Sequence, residues 1–315
     1  MTALHVSTPL IESVPLGSIT GARVYLKLDC VQPTGSFKIR GIGNACSLAC
    51  SDGSKALVAS SGGNAGLAVA YAGRRLGVPV TIVVPDSTSQ LMQNRLRTEG
   101  AEVRQHGVAW DESHALALEI AAKEKATYIH PFDDPRIWAG HASIIHEVNQ
   151  SGIVPDLIVT VVGGGGLLCG VLQGLHEVGW SNVPVMTMET EGAESFALSV
   201  RAGKLVTLKS ITSIATSLGA KTVSTAALDW IRKHEVIADT TTDRSAVAAV
   251  MRFADDHRLL VEPACGAALA AIYEKTVPPR YKKIVVIVCG GAGVTPGLID
   301  QWRRCVGLSG EEVPS

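Results

Sequence analysis

Residues 157–170 read L-I-V-T-V-V-G-G-G-G-L-L-C-G, a β-branched run that meets four glycines and resumes as an apolar stretch. A short apolar run bounded by glycine predicts a buried strand over Leu157–Val162, and the leucines beyond the turn predict a helix. Strand, tight turn and helix form the repeating unit of a parallel sheet, and the same pattern recurs along the chain. Strands are predicted at Ala56–Ser60, Val80–Val84, Glu102–Gln105, Val185–Glu189 and Ile284–Cys289, with helices at Asn64–Leu76, Ser113–Lys125, Ile137–Asn149 and Arg244–Phe253. The fold class is α/β. Two stretches, V-Q-P-T-G at 31–35 and P-F-D-D-P at 131–135, combine proline with turn residues and mark crossings between units. The expected organisation is a small domain of residues 32–134 within a discontinuous large domain of 1–31 plus 135–315.

The 315-residue length fits about two such units. Apolar residues at 46% and charged residues at 18% give enough burial for a folded core. A formal charge of −1 without a basic cluster, and aromatics at only 4%, argue against nucleic acid as a partner. No apolar run approaches the ~20 residues needed to span a bilayer, so no membrane partner is expected. The opening M-T-A-L-H-V-S-T-P-L lacks a signal-peptide pattern. Seven cysteines without a C-x-x-C pair predict reduced thiols in the cytoplasm. Cys46 and Cys50 lie one helical turn apart but lack further ligands for zinc. The tail S-G-E-E-V-P-S is expected to fray.

Four stretches can carry chemistry. Gly163, Gly164, Gly165 and Gly166 free the backbone N–H groups ahead of a helix start, an arrangement that suits a phosphate. No lysine follows as in a P-loop. The G-x-G-x-x-G registers from Gly163 and Gly164 end on Leu168 and Cys169, yet Glu189 stands where a ribose-binding acid would, which leaves a nicotinamide enzyme as an alternative. Ser60-Ser61-Gly62-Gly63-Asn64-Ala65-Gly66 lies between a strand and a helix, and reads either as a site for a substrate carboxylate or as an ordinary helix cap. V-V-I-V-C-G-G at 285–291 ends a strand in a thiol, Cys289, at the sheet edge where ligands gather in open α/β folds.

The fourth stretch, P-T-G-S-F-K-I-R-G at 33–41, sets Lys38 between Phe37 and Ile39. A lysine in an apolar setting becomes a usable amine nucleophile toward aldehydes. H-E-V-N-Q at 146–150 lacks the second histidine of a zincin, so His141 and His146 read as structural. A phosphate cradle, a carboxylate site, a ring-nitrogen partner and a nucleophilic lysine together meet the needs of one cofactor, pyridoxal 5′-phosphate.

With these motifs in order, joined by M-E-T-E-G-A, S-L-G-A-K-T-V and V-E-P-A-C-G-A-A-L-A, nearly the whole chain resembles the fold-type II pyridoxal-phosphate enzymes. Within them it is similar to the catabolic L-serine/L-threonine dehydratases. The resemblance implies two open parallel-sheet domains flanked by helices, like the tryptophan synthase β-subunit. It implies that Lys38 holds the cofactor and carries the α-proton, that Phe37 packs on the ring, and that Gly163 to Gly166 bind the phosphate. Asn64 matches the asparagine near the ring hydroxyl. Ser61, Gly62, Asn64 and Ala65 would hold the substrate carboxylate, Ser217 would face the ring, and Cys289 would partner the pyridine nitrogen.

A structural monovalent cation, potassium, is implied at the Glu189 carboxylate and the carbonyls of Gly163, Ala193, Leu218 and Ala220. The implied activity is β-elimination, converting L-serine to pyruvate and L-threonine to 2-oxobutyrate with release of ammonia, in a cytoplasmic homodimer. Alternatives are a β-replacement enzyme, a threonine synthase, or a weakly active cofactor-binding homologue. Gly62 stands where the better-known serine dehydratases have alanine, and Ser217 where they have a small apolar residue. Both departures resemble the serine dehydratase-like branch.

Overall fold

A computed structural model describes residues 3–309; the remainder of the tail expected to fray lies outside the described residues. The chain divides into two compact units, one formed by residues through Val6 with Gln32–His141, the other by Ser7–Val31 with the chain from Ala142 onward.

The first unit is built on a four-stranded sheet of β3 (Leu57–Ala59), β4 (Val80–Val84), β5 (Glu102–Gln105) and β6 (Thr127–Tyr128), in the order β5-β4-β3-β6. All three pairings are parallel. Helix Trp110–Glu124 seals it, with Ala117, Ile120 and Ala121 packed on Val58 and Val83. Helix Lys38–Ser51 follows the P-T-G-S-F-K segment, and helix Asn64–Leu76 follows β3. Between β4 and β5 runs helix Gln90–Thr98, capped by Ser89, whose hydroxyl accepts from the Met92 N–H.

The second unit holds a six-stranded sheet. Its strands are β1 (Leu10–Glu12), β2 (Arg23–Lys27), β7 (Leu157–Val161), β8 (Val185–Thr190), β9 (Val236–Thr241) and β10 (Lys283–Ile287), in the order β1-β2-β10-β7-β8-β9. Only β1 runs antiparallel, on β2. Helix Pro263–Tyr273 is buried along its entire length, as an all-apolar helix must be. It lies against helix Asp243–His257 so closely that a Cβ on Gly266 would strike the Ala246 carbonyl. Small side chains there admit the close approach.

The boundaries differ from the expected ones at both crossings. Residues 3–6 go with the first unit, where Val6 and Gln32 exchange two hydrogen bonds, of 3.0 and 2.8 Å. The second crossing falls after His141, inside helix Pro135–Gln150, rather than at 134. P-F-D-D-P is the lead-in to that helix, whose first half belongs to the first unit through His141 and Gly140 against Gly41.

Candidate active site

In the second unit the sheet order β10-β7-β8 sets three carboxyl ends side by side. Strand β7 leads into the four glycines, β10 into Cys289-Gly290-Gly291, and β8 ends in Glu189 and Thr190. Parallel pairing makes every such loop emerge at one edge, the usual place for ligands in this architecture.

Two of the four glycines sit where a side chain would be crowded. Gly165 has φ of 94°, and a Cβ there would lie 2.6 Å from Ala227 Cβ and 3.0 Å from Ser224 Oγ. A Cβ on Gly163 would meet the Ser217 carbonyl and Leu218 Cα at 3.1 Å each. The turn is fixed by Ser224 N–H donating to the Gly164 carbonyl at 3.1 Å and opens helix Gly166–Glu177. The first N–H groups of a helix lack intrahelical acceptors, and Gly163 and Gly164 ahead of it are half-exposed.

Cys289 lies two residues beyond the end of β10, buried. A hydrogen bond with Cys265, reinforced by burial, pushes its thiol well above the usual range. It therefore stays neutral. Sequence reasoning passed over Glu262, although it quoted V-E-P-A-C-G: its carboxylate accepts from Ser217 Oγ at 2.6 Å and from the Gly293 N–H at 2.8 Å. It thereby ties the segment carrying Ser217 to the turn after Cys289. No side-chain period marks that role.

Glu189 is buried, its Oε1 accepting from the Phe196 N–H at 3.0 Å and its Oε2 from the Ala197 N–H at 2.7 Å. Burial nonetheless raises its carboxyl pKa to about 8. Ala193 and Leu218 are buried and Ala220 half-buried; the Leu218 carbonyl accepts from Ala220 N–H at 2.8 Å.

The first unit carries Phe37, Lys38, Ser61, Gly62, Asn64 and Ala65. Lys38 opens its helix, half-buried, with Nζ donating to the Pro131 carbonyl at 2.7 Å and lying 5.3 Å from the centre of the Phe37 ring. That ring in turn packs on His141 at 4.9 Å. His141 is fully buried and accepts from Gly41 N–H at 3.1 Å, a structural place, and half-buried His146 meets Glu177 at 2.7 Å. In the Ser61 loop the N-cap of helix Asn64–Leu76 is Gly63, with no side-chain cap bond of its own, and Ser61 Oγ accepts from the Gly63 N–H at 3.3 Å. Gly66 is held so near the Ser61 carbonyl that no Cβ fits. The helix start thus presents backbone donors rather than a capped end.

A second residue that sequence reading missed is Thr88. A Cβ on Gly62 would come within 2.5 Å of Thr88 Oγ1 and 2.6 Å of its Cγ2, so this threonine fills the room an alanine methyl would take. Gly62→Ala is expected to lower stability by about 1–3 kcal/mol through overpacking, and Thr88→Ala in the same chain to restore it. Thermal unfolding of the two single variants and the double decides the matter; purely additive effects would show that the two sites are independent.

The chain belongs to the family described as pyridoxal-phosphate dependent enzyme, whose pattern matches residues 1–290. It is 48% identical to the bovine (Bos taurus) protein named L-serine dehydratase/L-threonine deaminase, over 98% of this chain and 97% of that one. It is 51% identical to the human (Homo sapiens) protein named serine dehydratase-like, over 92% and 91% of the two. Among solved structures, a fungal L-serine ammonia-lyase from Rhizomucor miehei superposes with a TM-score of 0.91 at 36% identity, covering 96% of this chain and 99% of that one. These likenesses are to fold-type II enzymes, in agreement with the sheet topology. Among the described residues no helix is long and apolar enough to cross a membrane.

Proposed function

We propose that this chain is a pyridoxal 5′-phosphate-dependent ammonia-lyase that eliminates water from L-serine and L-threonine, giving pyruvate or 2-oxobutyrate and ammonia. The observation that carries this reading is the buried Cys289 thiol beyond the carboxyl end of β10, beside β7, which leads into the four glycines. When bound, the cofactor draws electrons from the substrate's Cα, and the strength of that pull depends on what faces its ring nitrogen. A neutral thiol does not force that nitrogen to stay protonated, and the moderated pull suits elimination, in which a β-hydroxyl leaves as the α-proton is removed.

The residues present fit the group. Lys38 supplies the amine, Phe37 a wall for the ring, Gly163 to Gly166 the phosphate donors, and Asn64 a polar contact for the ring hydroxyl. The start of helix Asn64–Leu76, with Ser61, Gly62 and Ala65, orients the substrate carboxylate. Lys38 Nζ takes the α-proton and moves it, and Ser217, held by Glu262, faces the ring. Borohydride reduction of the loaded protein followed by peptide mapping tests the placement: a stable adduct at Lys38 supports it, and one at another lysine overturns it.

A potassium ion at Glu189, with the carbonyls of Gly163, Ala193, Leu218 and Ala220, completes the reading. A ligand bound only by the folded state adds about 2.7 kcal/mol at a hundredfold excess over its dissociation constant. Unfolding temperature is expected to rise when tetramethylammonium is exchanged for potassium, and to lose that response in Glu189→Gln. An equal response in the variant would remove Glu189 as a ligand. The protein is further read as a cytoplasmic homodimer, on the resemblance alone.

A further inference from the structure

We infer that His130 is the positioning residue for Lys38: its ring gathers the backbone of the turn that presents the Pro131 carbonyl to the lysine amine. The inference rests on the reading of Lys38 as the reactive amine. The chain stays paired to the sheet through Ile129, whose N–H donates to the Val58 carbonyl at 2.8 Å, and then turns sharply. His130 Nδ1 accepts two amide N–H groups across that turn, from Phe132 at 3.2 Å and Asp133 at 2.8 Å. A ring nitrogen that accepts two N–H donors carries the lone pair, so the neutral ring keeps its proton on Nε2.

The rest of the turn is held as tightly. Phe132 stands edge-on to the His130 ring at 4.7 Å, its carbonyl accepts from Trp138 Nε1 at 2.8 Å, and Asp134 grips the Arg136 guanidinium at 2.6 Å. Pro131 has no N–H, so within the turn its backbone offers only the carbonyl, and that carbonyl accepts from Lys38 Nζ at 2.7 Å. The groups facing the His130 ring are His114, Lys38 and Asp134; burial, the largest influence, with His114 and Lys38 lowers its pKa to about 4, and Asp134 opposes this. The acceptor on Nδ1 is therefore retained across the neutral range. A misplaced reactive group costs rate steeply even when the fold is intact.

Three variants separate the acceptor from the ring. Asparagine places its Oδ1 near the position of Nδ1 and can accept both N–H groups; glutamine sets its amide near Nε2; phenylalanine keeps the ring and removes the acceptor. In the full chain freed of cofactor, competitive acetylation of Lys38 against exposed Lys55 reads the lysine directly. His130→Phe and His130→Gln are expected to raise relative Lys38 labelling at least about fivefold, as Nζ leaves its acceptor, and in the loaded protein to lower kcat by about 10–100-fold with KM little changed. His130→Asn is expected to stay within about twofold of wild type in both, the conservative acceptor rescuing the role.

Wild-type labelling in all three variants would overturn the inference, as would equal loss in Asn and Gln. If His130→Phe does not fold, the Asn and Gln pair decides. Labelling needs no cofactor, so failure to find a cofactor adduct at Lys38 would sink the reading of that lysine while leaving the His130 contact separately measured.

Discussion

Lys38→Ala is expected to abolish release of 2-oxo acid from L-serine, lowering the rate by at least about 10⁴-fold, because in the proposed mechanism one substitution removes both the covalent anchor and the group that moves the α-proton. The fold should survive: Lys38 is half-buried at the start of its helix, and alanine is the best helix former. An unfolding temperature near that of wild type therefore accompanies the loss. Lys38→Arg is not a rescue, since a guanidinium keeps its charge and does not act as an amine nucleophile. Retention of more than a few per cent of the activity in either variant would remove Lys38 from the chemistry.

The second large effect falls on the glycine cradle. Gly165→Ala puts a side chain at φ of 94° and drives its Cβ to 2.6 Å from that of Ala227. The left-handed backbone costs about 1–2 kcal/mol and the overlap about 1–3 kcal/mol more. Relief of both would rotate the amides that are proposed to hold the phosphate, and loss of one such charge-assisted bond, about 1.5–3 kcal/mol, is expected to weaken cofactor affinity by roughly 10–100-fold. Gly297→Ala is the control, since nothing lies within 4 Å of a Cβ there. Cofactor binding followed by fluorescence should separate the two variants. Equal affinity would mean that the cradle holds no phosphate.

Much of this was legible because parallel sheets announce themselves. The strands at Val80–Val84 and Glu102–Gln105 and helix Asn64–Leu76 lie where the pattern predicts, since β-branched runs and alanine-rich helices are set by local preference as well as by packing. The strands that escaped notice have weak patterns for physical reasons. Strand β6 has two residues and β1 three, and β9 is half-buried and carries Asp239. Strand β2 ends in a lysine, Lys27, flanked by leucines and 1% exposed, whose Nζ meets Glu147 at 2.5 Å and the Thr8 carbonyl at 2.6 Å.

That lysine shows the limit of local reading. Apolar neighbours alone would have chosen Lys27 as readily as Lys38, yet Lys27 is a structural ion pair. What separated them was the company of other motifs, above all Gly163 to Gly166. Contacts set by tertiary approach stayed invisible: Thr88 against Gly62, Glu262 between Ser217 and Gly293, and His130 folding the turn that reaches Lys38. The proline and turn residues of P-F-D-D-P mark a crossing in the sequence, whereas nothing in the pattern marks the neighbouring His130.

Elimination and replacement differ in whether a nucleophile must be supplied for turnover. The cofactor-loaded protein is incubated with L-serine and, separately, L-threonine, without any added thiol or other nucleophile, and 2-oxo acid and ammonia are quantified. Release of pyruvate and 2-oxobutyrate in one-to-one ratio with ammonia is the expected result. No 2-oxo acid from either substrate, with turnover appearing only when a nucleophile is supplied, would contradict it.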